Sequence, residues 1–281
     1  MRNPLPFIHS AATWRPGLAG TYPGRPKSSL LSLRTDRAPA LPAHLAALRD
    51  RLRPTGHAAR VLAFGNPAVD ACLPGGGLPL GQLHEVGATG LETENGTLAA
   101  AFAAILLARI EPARPAFWIA PSPDLHGPGL LAYGLDPGRL VIVRPDSNAA
   151  TLDAMEAVLR GGVAAVVVGE IGRLDRTASH RLQLACQRHD ITGFVLRRWP
   201  NGRKDATARP CTAVTRWQLA TVPSQSRPRE LGPPRWIVTL THARGGRPGE
   251  WIMEVCNDAP LGLRMVATLA DHSAAAQLLA G

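Results

Sequence analysis

The chain has 281 residues, 45% of them hydrophobic and only 5% aromatic, and a net charge of +10. That length suits one large domain, or one domain with appendages. The four cysteines (Cys72, Cys186, Cys211, Cys256) are scattered without CxxC spacing, which excludes a zinc ribbon or a disulfide scaffold and fits a reducing compartment.

The charge is segregated. Residues 1–60 carry +8, 61–196 carry −4, 197–247 carry +9 and 248–281 carry −3. Two basic segments on an acidic-to-neutral body point to a polyanionic partner, either nucleic acid or an acidic protein surface. Solvated arginine-rich loops are the alternative.

Residues 1–38 are rich in Pro, Ser and Arg and lack periodicity, so they read as a flexible basic arm. Pro4, Pro6, His9, Ser10 and Arg15 interrupt any apolar run there, so the segment does not read as a secretory signal. Residues 39–56 read as an amphipathic helix and linker, with Leu41, Leu45, Leu48 and Leu52 at helical spacing. A core is expected over 57–256 and a low-information tail over 257–281. The longest apolar run, 98–108, is too short to cross a bilayer; the expectation is a cytoplasmic protein with no membrane contact.

Within the core, residues 65–97 organise the pattern. A glycine-rich bend (Gly75, Gly76, Gly77) leads to a strand near 82–86, then to a glycine-containing loop running into a helix from about Leu98. Strand, loop and helix in that order frame a phosphate-binding loop. Further strands are expected at 116–120, 140–144, 163–168 and 191–196. Helices are expected at 125–133, at 151–159 (capped by Asn148 or Thr151) and at 177–188, with Leu182, Leu184 and Cys186 among the apolar positions of the last. Continuous apolar strands alternating with helices argue for a parallel α/β sheet covered on both faces. After Leu196 the pattern changes to a basic loop and three alternating strands (212–221, 235–241, 250–255), the last two forming a hairpin. Trp217, Trp236 and Trp251 on those strands read as core. His84, His126, His180 and His189 show no metal spacing.

The order of segments resembles the RecA ATPase core. Phe64-Gly65, Val69-Asp70, then Gly76-Gly77-Leu78-Pro79-Leu80-Gly81-Gln82 and His84-Glu85-Val86 match its entry; Tyr133-Gly134-Leu135-Asp136 and Val166-Val167-Val168 match the route to its Walker B strand. The resemblance spans roughly 61–256. It implies a RecA-like core: a mostly parallel central sheet flanked by helices, a C-terminal antiparallel extension, and a degenerate P-loop. More closely, Val166-Val167-Val168-Gly169-Glu170-Ile171, Arg173-Leu174, Thr177-Ala178-Ser179, Arg181-Leu182-Gln183-Leu184-Ala185, Leu196-Arg197-Arg198-Trp199 and Thr215-Arg216-Trp217 resemble the inducible-mutagenesis protein A (ImuA) family, sometimes labelled SulA-like. That resemblance implies an accessory role in damage-induced (SOS) mutagenesis and translesion synthesis. The implied partners are an ImuB-like polymerase homologue and an error-prone DnaE-type polymerase. RecA is a further implied partner, reached through a helix such as 40–53 packing on a neighbouring core, and the implied location is the nucleoid after damage.

The ATPase chemistry is missing from the sequence. A P-loop needs a lysine and a Ser/Thr after its glycines. The chain has two lysines, Lys27 and Lys204, and neither follows this strand, where Glu92 and Glu94 stand instead. Carboxylates beside a triphosphate repel it by roughly 1–4 kcal/mol per pair at contact. Gly87, Gly90, Gly96 and Thr97 are what remains of the nucleotide site. Gly169 and Glu170 stand where a Walker B aspartate belongs, with Glu170 expected at the surface or behind the site, and Pro121-Ser122-Pro123 where a catalytic glutamate belongs. The expectation is a non-enzyme with no cofactor and no metal. The basic loop 197–210 follows the strand after which RecA carries a DNA-contacting loop. Arg197, Arg198, Trp199, Arg203, Lys204 and Arg209 are therefore candidates for single-stranded DNA or an acidic partner. A divergent nucleotide-binding ATPase and a cell-division inhibitor are the alternative functions.

Overall fold

The computed structural model describes residues 60–90, 92–122, 124–198, 211–224, 232–256, 259 and 261–268, with the side chains of 92–94 and 268 outside that set. The expected arm, the helix at 40–53, residues 199–210 and the end of the tail lie outside the described residues. All described residues fall in one compact unit, 56–281.

The chain runs through β1 (Val61–Leu62), α1 (Pro67–Asp70), β2 (Leu78–Pro79), β3 (Leu83–Ala88), α2 (Glu92–Leu107), β4 (Ala116–Ile119), α3 (Gly127–Leu131), a 3₁₀ turn (Pro137–Arg139), β5 (Leu140–Val143), α4 (Asn148–Gly161), β6 (Val166–Glu170), α5 (Arg176–His189), β7 (Thr192–Arg197), β8 (Thr215–Val222), β9 (Arg235–Ala243), β10 (Gly249–Val255) and β11 (Leu263–Thr268). Strands β1 and β2 pair with each other. The other nine form one sheet in the order β11-β10-β9-β8-β3-β7-β6-β4-β5. From β8 to β5 the strands are parallel; β9, β10 and β11 extend the β8 side antiparallel.

Burial on both faces explains the strand sequences. In β6, Val166 and Val168 enter the core shared with α2, while Val167 enters the core under α4 and α5. Helix α2 is apolar around its circumference because it is enclosed: Phe102, Ala103, Ala104, Leu106 and Leu107 are fully buried. Phe102 stands 5.5 Å from the ring of Trp217, which lies 6.5 Å from that of Trp251. Trp118, Trp217, Trp236 and Trp251 are the largest fully buried side chains. The end of α2 leaves backbone carbonyls without helical partners. Arg139 satisfies this region, donating to Leu107 O, Ile110 O and Glu111 O.

Several elements differ from the sequence expectation. Helix α2 begins at Glu92, six residues before Leu98, and so absorbs most of the expected loop. Ser147, not Asn148 or Thr151, caps α4, accepting from Ala150 N at 3.2 Å. Asn148 is used otherwise: its amide exchanges two hydrogen bonds with the backbone of Arg173. Strand β11 lies in the stretch that reads as tail, and Leu263 and Met265 pack on the α2-side core. Leu184 is 50% exposed, because it lies on the opposite side of α5 from Leu182, two residues away at about 100° per residue.

His84 is fully buried in β3 and ordered by a complete relay. Pro79 O can only accept, so His84 Nε2 donates to it at 2.8 Å. Nδ1 then accepts from Thr215 Oγ1 at 2.7 Å, and Thr215 Oγ1 accepts from Trp217 Nε1 at 2.9 Å. Burial holds the imidazole neutral, with its pKa lowered from 6.5 to about 4. Between those values the unfolded chain binds a proton that the folded chain refuses. Stability contributed by neutral His84 is therefore complete above pH 6.5 and is lost as pH falls toward 4, by about 3 kcal/mol. Denaturant titrations across this range are expected to show that loss, and His84→Gln is expected to flatten it.

Candidate functional site at the strand-end rim

Ligands of open parallel sheets bind beyond the carboxyl ends of the strands. Here that rim is formed by the ends of β3, β4, β6 and β7. Three residues separate β3 from α2. Of the four candidates for a nucleotide site, Gly87 lies in β3, Gly90 in the turn, and Gly96 and Thr97 inside α2. Asn95 fills the space beside the turn: its amide donates to Thr89 O at 2.7 Å and accepts from Thr221 Oγ1 at 3.0 Å. A Cβ on Gly90 would stand 2.6 Å from Asn95 Nδ2, so the turn and this side chain are in close contact.

At the end of β6, a Cβ on Gly169 would approach Met155 Sδ to 2.8 Å. Met155 therefore packs closely against the backbone at this position. The next residue, Glu170, is buried rather than at the surface, with its side chain 3% exposed. Its Oε1 accepts from Trp118 Nε1 at 2.9 Å, and its Oε2 from Arg198 Nη1 at 3.0 Å. Arg198 also holds Asp124, the acid following β4, through Nη1 at 3.2 Å and Nη2 at 2.9 Å. Burial raises the Glu170 pKa, against the pull of the Trp118 N–H and the Arg198 charge. Burial opposes the Asp124 charge too, but the bonds to Arg198 prevail and lower its pKa.

A second group lies on the α5-side face of β3. Glu85 is 3.9 Å from Arg197 Nε and 3.6 Å from Arg216 Nε. It also accepts from the Cys211 thiol at 2.5 Å, and burial foremost, with Glu85 beside it, pushes that thiol's pKa up.

Of the six basic-loop candidates, Arg197 and Arg198 therefore face the ion pairs of the core. Trp199, Arg203, Lys204 and Arg209 lie outside the described residues. Sequence reasoning missed Glu85, Arg216, Trp118 and the use of Asp124. A signal existed: an acid inside a buried strand needs a cation on the same face of a neighbouring strand. Among the described residues, no group of three or more His, Cys, Asp or Glu could hold a metal ion, and no helix is long and apolar enough to cross a membrane.

Fold and rim define an open, mostly parallel α/β protein whose strand ends are bridged by its own ion pairs. Protein ImuA of Caulobacter vibrioides, in strains NA1000 / CB15N and ATCC 19089 / CB 15, is 42% identical over 227 residues, which cover 77% of this chain and 93% of the relative. The chain belongs to the ImuA family. Cell division inhibitor SulA of Photorhabdus laumondii is 32% identical over 85 residues, 30% of this chain and 48% of the relative. The crystal structure of SulA from Pseudomonas aeruginosa matches 41% of this chain and 96% of its own, at 29% identity and a TM-score of 0.37. No protein-family model matches the chain.

Removing Arg198 leaves Glu170 buried without its cation. Arg198→Ala is expected to cost about 3 kcal/mol, read from denaturant midpoints. Adding Glu170→Gln is expected to restore part of that loss; equal and additive losses would show that the two are not coupled.

Proposed function

We propose that this protein is a non-catalytic RecA-type adaptor in damage-induced mutagenesis and translesion synthesis. In this reading it works beside an ImuB-like polymerase homologue and an error-prone DnaE-type polymerase. Membership of the ImuA family supports the process. The observation that carries the adaptor role is the rim, where Trp118, Glu170, Arg198 and Asp124 satisfy one another. Phosphate binding would need free backbone N–H groups and cations at this place. The strand order, with β3 between β7 and β8 and an antiparallel extension beyond β8, supports the RecA-type reading of the core. Arg203, Lys204 and Arg209 supply the cations for single-stranded DNA or an acidic partner surface, and RecA is a further candidate partner.

Isothermal titration with ATP and Mg²⁺ tests the adaptor role. Millimolar or undetectable binding without turnover is expected; micromolar binding with turnover would establish a divergent ATPase instead. Salt dependence tests DNA contact. Binding of single-stranded DNA through the loop should weaken with salt at a log–log slope of about −0.7 per phosphate neutralised. Changing Arg203, Lys204 and Arg209 together to Ala should remove most of that slope.

Division control is a second reading, and the 85-residue likeness to SulA favours it. Damage-induced filamentation that persists when this protein is deleted would argue against it.

A further inference from the structure

The acidic body, residues 61–196, has nine basic residues, all arginine. Five of them, at 160, 173, 176, 181 and 188, are exposed on α4, on α5 or on the turn before α5. Along α5, Arg176, His180, Leu184 and Arg188 recur every four residues and are all exposed, so they form one stripe. Between this stripe and α4 lies an open groove of about 580 Å³, lined by Glu156, Arg160, Arg181, Leu184, Arg188 and His189 with Ala185.

The groove is organised around one acid. Glu156 is buried and shared: Arg160 Nη2 is 2.7 Å from Oε1, and Arg181 Nη2 donates to Oε2. Both arginine side chains remain more than half exposed, at 69% and 55%, so each is held at one end and still reaches solvent. A guanidinium fixed in this way loses less freedom on meeting a carboxylate. Arg188 has no ion pair among the described residues. Three arginines against one glutamate leave the groove at +2 in a body of −4. Half-exposed Leu184 lies between the cations.

We propose that the α4–α5 groove is a docking site for an acidic amphipathic segment of a partner protein, with an apolar side chain of that segment seated on Leu184 and its carboxylates on Arg160, Arg181 and Arg188. A central apolar anchor inside a polar rim is the arrangement that concentrates binding energy at protein interfaces. A nucleic-acid strand is the poorer fit, because no Trp, Tyr or Phe lines the groove as a stacking platform for bases and its phosphates make no use of Leu184. The site goes beyond the adaptor reading, since it uses residues of α4 and α5 and none of the basic-loop candidates.

The test uses full-length protein and fluorescence anisotropy. The probe is a fluorescein-labelled, Asp/Glu-rich helical peptide of about 12 residues with Leu and Phe one turn apart. One comparator has Ser at those two positions; the other is an oligothymidylate of similar length. Binding of the probe is expected, weakened about tenfold or more by Leu184→Ser and by Arg188→Glu. Both are surface changes, and unaltered circular dichroism would confirm the fold. The Ser comparator should bind more weakly, and the Arg203→Ala/Lys204→Ala variant should bind the probe as wild type does. Three results would overturn the proposal: no binding of the probe, binding indifferent to both groove substitutions, or displacement of the probe by the oligothymidylate with loss of oligothymidylate binding in Arg188→Glu. ATP titration of the same sample is unaffected by any of these, so the two readings stand or fall separately.

Discussion

The centre of this structure is one buried strand. β3 is hydrogen-bonded on both edges, to β7 and β8, and covered on both faces. Its side chains alternate between two cores, with Leu83 under α5 and Val86 under α2. Between them come two groups that a buried strand admits only at a cost. A buried imidazole and a buried carboxylate are tolerated when each finds partners. His84 finds them in Thr215 and Pro79, Glu85 in Arg197, Arg216 and Cys211. Thr215 and Arg216 come from β8 and Arg197 from β7. The polar residues of β3 thus specify its neighbours more closely than its apolar ones do.

The same logic extends to the rim. Glu170 closes β6, Trp118 belongs to β4, Arg198 follows β7, and Asp124 follows β4. One guanidinium joins two loops and a strand end. Buried pairs of this kind give little net stability, because desolvation consumes much of the Coulomb gain, yet breaking one is expensive. Their effect here is positional. Arg198 fixes the point from which the basic loop departs, and the exchange between Asn148 and the Arg173 backbone fixes the turn leading into α5.

Much of the fold was legible in the sequence. The valine run of β6, the alternation in β8 to β10 and the buried tryptophans followed from period and composition. The start of α2 did not, because Glu92, Gly96 and Thr97 have the composition of a loop, and their helical state comes from the enclosure of the residues that follow. β11 was missed because Leu263 and Met265 are apolar only in alternation with Arg264 and alongside an alanine-rich tail. The site was less legible than the fold. Arg197 and Arg198 look like any pair of surface arginines until Glu85 and Glu170 are known to lie beside them. Leu184 belongs to the apolar positions of α5 by composition, but its angle on the helix turns it to solvent.

The strand order has one more consequence, for synthesis of the chain. β3 emerges early, but Thr215, its partner through His84, comes 131 residues later. At ribosomal speed the delay is on the order of 10 s. For that time the strand is an unpaired edge of the sort that promotes aggregation. Its sequence, LHEVGA, places a histidine and a glutamate among its apolar residues, and charged or polar residues of this kind act as gatekeepers. The two side chains that most need partners in the finished sheet keep the strand soluble until those partners have been made.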